Sequence, residues 1–256
     1  MDFAPRVLLS GGGTGGHLFP GIAVALEIRR RYPESGIVFA GTGRGLEAET
    51  VSGYGFEHGL IRSAALKGKS IGEFVVGLAT LPSSFWDAWS LITRVSPHLV
   101  IGLGGYSAGA VVLVAALRRI PTMILEQNAM PGVTNRLLAP IVSAAAVSHD
   151  LSLAHFHGKG FVAGNPVRAE FFKAAGPRST CPDTIRLLVL GGSQGAHAIN
   201  IAMMSAAPKL ANANVRFVVT HQTGRPDREL VRGGYAEAGL SARVEPFLHE
   251  MADRMC

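Results

Sequence analysis

Short apolar runs alternate along the chain with longer stretches in which apolar residues recur every three or four positions. Arg6 to Ser10 is apolar until it meets Gly11-Gly12-Gly13, and Leu18 to Arg31 then carries a helical apolar stripe. Strand, tight glycine turn and helix in that order open a βαβ unit. Further strands are predicted at Gly36 to Ala40, Phe56 to Ile61, Leu99 to Leu103, Thr122 to Leu125 and Val142 to Val147, with helix-length segments between them. Such alternation predicts an α/β fold with a parallel, doubly wound sheet.

The opening unit recurs. Leu8-Leu9-Ser10-Gly11-Gly12-Gly13-Thr14-Gly15-Gly16-His17 lines up, residue for residue, with Leu188-Val189-Leu190-Gly191-Gly192-Ser193-Gln194-Gly195-Ala196-His197. Two Rossmann-like domains are therefore expected, at 1–164 and 184–256, joined by a linker at 165–183 that is rich in turn and breaker residues. After the second glycine loop come a helical pattern (Ala196 to Leu210), a strand (Val215 to Thr220), a helix (Asp227 to Ala238) and a strand (Ala242 to Glu245). About three strands make one mononucleotide-binding half, so the second domain is expected to be incomplete.

Composition narrows the classes. With 48% hydrophobic and 16% charged residues, the chain buries an ample core and is not disordered. Its net charge of +6 suits something anionic: nucleic acid, a lipid surface or a phosphorylated substrate. Cys181 and Cys256 have neither disulfide-framework nor zinc spacing, so no metal is expected. The first apolar run meets glycines too early for a secretory signal, and no run approaches the ~18 apolar residues of a spanning helix. Any membrane contact is expected to be peripheral.

Candidate chemistry lies at the glycines. Gly11 to Gly16 lets the backbone approach a phosphate closely, and the helix start beyond it offers free N–H groups, which suits a diphosphate. A dinucleotide would need an acidic residue at the end of the second strand, yet Phe39-Ala40-Gly41-Thr42-Gly43 has none before Glu47. No Gly-Lys-Ser/Thr follows, which argues against a P-loop. A third glycine loop, Gly102-Leu103-Gly104-Gly105-Tyr106, strengthens the ligand reading over three coincident tight turns. His17 and His197 each follow a loop at the first helical turn, where an imidazole either binds phosphate, acts as a base or simply bonds its own loop. No basic run interleaved with aromatics accompanies the loops, which argues against nucleic acid.

Phe74, Val75, Leu78, Leu81, Phe85, Trp86 and Trp89 give roughly helical apolar spacing interrupted by Pro82, with Arg62, Lys67 and Lys69 upstream. The stretch fits an interfacial anchor on anionic lipid or an amphipathic helix packed on the sheet.

Five separated motifs then resemble the MurG family of peptidoglycan N-acetylglucosaminyltransferases, in family order: Gly12 to Ala23, Gly104-Gly105-Tyr106, Glu126-Gln127-Asn128, Gly164-Asn165-Pro166-Val167-Arg168 and Gly191 to Ala196. The resemblance implies a GT-B fold and inverting, cofactor-free transfer of GlcNAc from UDP-GlcNAc to lipid I, an undecaprenyl-linked acceptor, at the cytoplasmic face of the cell membrane. It implies UDP-GlcNAc contacts at Thr14, Gly15, Gly16, Asn128, Arg168, Ser193 and Leu248, with His17 as catalytic base. Acceptor diphosphate is expected at Gly12, Gly13, Gly104, Gly105 and Tyr106, and membrane contact at Lys67, Lys69, Phe74, Leu78, Phe85, Trp86 and Trp89. On chemistry, Asn128 suits sugar hydroxyls or a turn cap, Arg168 a phosphate or a linker ion pair, and Ser193 a phosphate or an N-cap. Ala65-Leu66-Lys67-Gly68-Lys69-Ser70 and Tyr106 to Ala110 depart from the family pattern, and the family's later donor-side motifs lie beyond Cys256, so this chain by itself is expected to be inactive. Another GT-B transferase with a different acceptor, or a nucleotide- or anion-binding module, would use the same glycine loops.

Overall fold

The computed structural model describes residues 4–43, 47–63, 79–173, 184–192, 194–248 and 251–255. The chain divides into two compact units, Met1–Arg168 and Ala169–Cys256.

The first unit runs β1 (Arg6–Gly11), α1 (Gly15–Arg31), β2 (Gly36–Gly41), α2 (Glu47–Gly53), β3 (Glu57–Leu60), α3 (Leu81–Val95), β4 (Leu99–Gly104), α4 (Tyr106–Leu117), β5 (Thr122–Glu126), α5 (Val133–Leu138), β6 (Ala144–Val147), a 3₁₀ helix (Asp150–Phe156) and β7 (Gly160–Val162). Among the described residues its strands order as β3-β2-β1-β4-β5-β6-β7, and every pairing is parallel. Helices cover both faces, which is why β1 and β4 read as continuous apolar runs. Consecutive residues part to opposite faces: Leu8 and Val100 enter a core with Ile92 and Val111, while Leu9 and Ile101 enter another with Ile22 and Phe39. Helix α4 is apolar nearly all round because it packs against α3, α5 and the sheet together. The strand order reverses between β1 and β4, and a doubly wound sheet opens its ligand crevice at the carboxyl ends of that pair.

Pro82 lies at the start of a helix. It stands in the first turn of α3, where its missing N–H would have had no partner. Phe85 packs against the core, whereas Trp86 and Trp89 stand exposed on the same helix. Lys67, Lys69, Phe74 and Leu78 lie outside the described residues. Among the described residues no helix is long and apolar enough to cross a membrane.

The second unit contains α6 (Glu170–Lys173), β8 (Thr184–Leu190), α7 (His197–Ala211), β9 (Arg216–Gln222), α8 (Arg228–Glu237), β10 (Ala242–Glu245) and α9 (Met251–Met255). Its described strands are parallel in the order β10-β9-β8, the same succession as β3-β2-β1. Val189, Val219, Val231, Tyr235 and Val244 form its core. The duplication seen in the glycine loops is thus also a duplication of topology, and both units are Rossmann-like.

Candidate active site

The crevice of the first unit is lined by the two glycine turns that end β1 and β4. Gly11 pairs with Gly104 across the ladder. A Cβ at Gly11, whose φ is +121°, would lie 2.2 Å from Gly104 O, and one at Gly104 would lie 3.2 Å from His17 Cε1. Only bare backbone lets the turns approach this closely. Thr14 caps α1 with its carbonyl, which accepts from the N–H groups of His17 (3.2 Å) and Leu18 (3.1 Å), and its exposed hydroxyl makes no capping bond among the described residues. The first turn of α1 holds no acidic residue and its last turn holds Arg29, Arg30 and Arg31. The positive end of the helix dipole therefore faces the turn with no carboxylate of the helix itself competing for it.

His17 lies beside Gly104, and its Nδ1 is 2.8 Å from Gln127 Oε1. Tyr106, the first residue of α4, is partly exposed beside the second turn, and Ser10 Oγ donates to the carbonyl of Ser107 (3.3 Å), tying β1 to α4. The structure thus brings Gly12, Gly13, Thr14, Gly15, Gly16, His17, Gly104, Gly105 and Tyr106 to one end of the sheet.

Glu126, the last residue of β5, organises the loop that follows. Its buried carboxylate accepts, among the described residues, from Asn128 N (2.9 Å), Asn128 Nδ2 (2.9 Å), Gly132 N (3.1 Å) and Asn135 Nδ2 (2.8 Å). One of the two amide N–H donors of Asn128 is therefore engaged, and the other donor and the oxygen of this exposed side chain can meet a ligand hydroxyl. Ser152 Oγ donates to the carbonyl of Asn128 (2.7 Å) and holds the loop from the other side. Arg168 is buried. Its guanidinium donates to Tyr54 Oη and lies over the Phe19 ring at 4.5 Å.

The first carboxylate after β2 is not remote from the turn. Glu47 is buried with Oε1 2.4 Å from where a Gly12 Cβ would stand and 1.6 Å from that of Gly41, and it accepts from Thr42 Oγ1 at 3.2 Å. It fills the space beneath the turn rather than facing a ribose, so a dinucleotide is disfavoured for a different reason from the one read in the sequence.

In the second unit the matching turn is Gly191-Gly192 through Gly195; Ser193 lies outside the described residues. Gly195 has φ +79°, and a Cβ there would lie 1.9 Å from Thr223 O. Gln222 bridges the turn to the segment that follows β10: Nε2 donates to Gly192 O (2.7 Å) and Oε1 accepts from Leu248 N (2.7 Å). The Leu248 side chain is buried. His197 Nδ1 is 2.9 Å from Asp227 Oδ2, which also accepts from Asn200 Nδ2 at 2.8 Å. The hydrogen bonds from Asn200 and then His197 hold the Asp227 carboxyl below its usual range. In the same unit His221 and Tyr235 are buried together, Nδ1 to Oη 2.8 Å. Burial drives the imidazole down to about 4 and the phenol up to about 12, so both are neutral. Glu47, Gln222, Asp227 and Asn200 are partners that sequence reasoning missed, since each meets its neighbour only through the fold.

The sequence pattern of the glycosyltransferase family 28 N-terminal domain matches residues 7–147, and that of the family 28 C-terminal domain matches residues 186–256. The chain is 44% identical over 248 residues to the UDP-N-acetylglucosamine--N-acetylmuramyl-(pentapeptide) pyrophosphoryl-undecaprenol N-acetylglucosamine transferase of Anaeromyxobacter sp. (strain K), covering 96% of this chain and 65% of that relative. The transferase of the same name from Pelobacter propionicus is 41% identical over 269 residues, 96% of this chain and 71% of the relative. Among solved structures, Acinetobacter baumannii MurG superposes with a TM-score of 0.65 at 26% identity, over 98% of this chain and 68% of that one. UDP-GlcNAc 2-epimerase from Neisseria meningitidis, bound to UDP-GlcNAc, gives 0.60 at 11% identity over 98% and 74%, a likeness of fold. The chain spans 65% of the length of the Anaeromyxobacter relative.

Proposed function

The chain belongs to glycosyltransferase family 28, and we propose that it carries the acceptor side and part of the donor side of an inverting transferase that moves GlcNAc from UDP-GlcNAc to lipid I, giving lipid II. The observation that carries this reading is His17, seated on the first turn of α1 between two glycine turns and bonded to Gln127. Its imidazole takes the proton of the acceptor hydroxyl as that oxygen bonds to the anomeric carbon and the bond to UDP breaks. The glycine turns Gly12-Gly13 and Gly104-Gly105, with Tyr106, cradle the acceptor diphosphate. Thr14, Gly15, Gly16, Asn128, Arg168, Ser193 and Leu248 serve UDP-GlcNAc, and the helix start after the second turn meets the charge gathering on the leaving diphosphate.

The exposed Trp86 and Trp89 of α3 would rest on the cytoplasmic face of the cell membrane, from which the polyprenyl-linked acceptor is drawn. Arg118 lies over the Trp89 ring at 4.9 Å, so a cation accompanies the aromatic surface, as anionic lipid favours.

The test supplies UDP-GlcNAc and a lipid I analogue to this chain fused to the C-terminal third of the Anaeromyxobacter relative, and follows UDP release and disaccharide formation. Turnover abolished by His17→Ala with UDP-GlcNAc affinity retained supports the assignment. A fusion that transfers to some other acceptor and not to lipid I removes it.

A further inference from the structure

We infer that Gln127 is a positioning residue, holding His17 in the tautomer whose proton is on Nδ1 so that Nε2 presents its lone pair. The geometry fixes this in two steps. Among the described residues Gln127 reaches two neighbours, the Leu125 carbonyl oxygen at 3.4 Å and His17 Nδ1 at 2.8 Å. A carbonyl oxygen can only accept, so the end of the amide facing Leu125 is the NH2 group, and the end facing His17 is the oxygen. That oxygen can also only accept, so Nδ1 must bear the hydrogen. With the proton on Nε2, two lone pairs would oppose each other at 2.8 Å. Which ring nitrogen is protonated is set by the hydrogen bond the other makes.

Two further features make the arrangement rigid. The His17 ring rests against Gly104, where any Cβ would press on it at 3.2–3.5 Å, so it cannot turn freely about its bond to the backbone. Gln127 follows Glu126, whose carboxylate pins the backbone N–H groups of Asn128 and Gly132 on the far side of it. The Nε2 of His17 has no hydrogen-bond partner among the described residues. A base must accept a proton, and a free imidazole prefers to carry its hydrogen on Nε2, the atom that would do the accepting. Gln127 reverses that preference before substrate arrives. One hydrogen bond of ordinary net strength favours the Nδ1–H form by about tenfold.

The catalytic consequence rests on the proposal that His17 is the base; the tautomer does not, since it belongs to the unliganded protein. Long-range ¹H–¹⁵N spectra of the histidine rings in the ¹⁵N-labelled chain, at a pH where His17 is neutral, read the tautomer directly. The His17 signals are assigned by their loss in His17→Gln. The expected result is a protonated-type Nδ1 and an unprotonated-type Nε2. Gln127→Glu keeps an accepting oxygen and should keep that pattern, whereas Gln127→Leu should return the ring to predominantly Nε2–H, with the other histidine signals unchanged. A His17 that carries its proton on Nε2 in the unaltered chain overturns the inference, as does a Gln127→Leu spectrum identical to it. Should Gln127→Leu fail to fold, the unaltered chain and Gln127→Glu decide the matter between them. If the tautomer is as stated and His17→Ala leaves turnover of the fused enzyme intact, the base assignment falls and the role of Gln127 on the ring stands.

Discussion

Replacing Glu126 by Gln keeps shape and volume but removes a charge and turns one acceptor into a donor. The amide oxygen of the substituted side chain can still face the two Asn128 donors, leaving its NH2 group against Gly132 N and Asn135. Asn135 can adapt, because its Oδ1 is buried with no partner among the described residues and can be turned to accept. Gly132 N cannot adapt. A backbone donor held 3.1 Å from the carboxylate would face another donor, at a cost of about 1–3 kcal/mol. The two bonds to Asn128 also fall from charge-assisted to neutral, at about 0.5–1 kcal/mol each. The sum is about 3 kcal/mol, a large share of the ~5–15 kcal/mol by which domains are stable. For a unit of this size that lowers the melting temperature by about 6–12 °C. Urea unfolding followed by circular dichroism should show a lower midpoint with an unchanged slope. A loss below about 1 kcal/mol, the least that a stranded buried donor should cost, would mean that the loop after β5 is not held by this carboxylate, and would refute the reasoning.

His221 titrates near about 4 in the folded protein against 6.5 for the free side chain, so the unfolded chain binds more protons between those values. Its stabilising contribution is complete above pH 6.5 and is lost as pH falls from there towards 4, amounting to about 2–3 kcal/mol by about pH 4.5. Unfolding free energies at about pH 7.5 and about pH 4.5 should therefore differ by that much more in the unaltered chain than in a His221→Leu/Tyr235→Phe variant; equal differences count against the buried neutral pair. Gly195→Ala places a Cβ where Thr223 O stands, at a φ that side chains rarely adopt, and should cost at least about 3 kcal/mol, with hydrogen exchange accelerated in the second unit. A normal melting profile for that variant would show that the turn relaxes freely. Trp86→Ala should weaken binding to anionic vesicles in a sedimentation assay by about ten- to a hundredfold, since burying one large aromatic is worth about 1.5–3 kcal/mol; unchanged sedimentation would place the lipid contact elsewhere.

The central strands were legible in the sequence because helices cover both their faces and leave uninterrupted apolar runs. Legibility failed where burial did. Strand β7 is three residues with Phe161 and Val162 half exposed, too short and too mixed to signal itself. The strand expected from Val142 begins at Ala144, because the Val142 N–H is taken by the carbonyl of Leu138 as α5 ends. The glycine turns were legible as positions of close approach, and their histidines as neighbours of those turns. Their partners were not: Gln127 stands 110 residues from His17 and Asp227 30 residues from His197, and only the parallel sheet brings each pair together. Glu126 left a trace, a carboxylate closing an apolar strand just before a loop that must be anchored.

The two glycine turns are copies of one mould, set at the ends of equivalent strands and each followed by a histidine. What stands across from the histidine has diverged. In the first unit it is the uncharged oxygen of an amide, so a ring and its partner can come together with no net charge added to the crevice. In the second it is a carboxylate kept anionic by Asn200. Symmetry of backbone has thus been kept while symmetry of charge has been broken, so that two units built from one template offer whatever they bind a different electrical character.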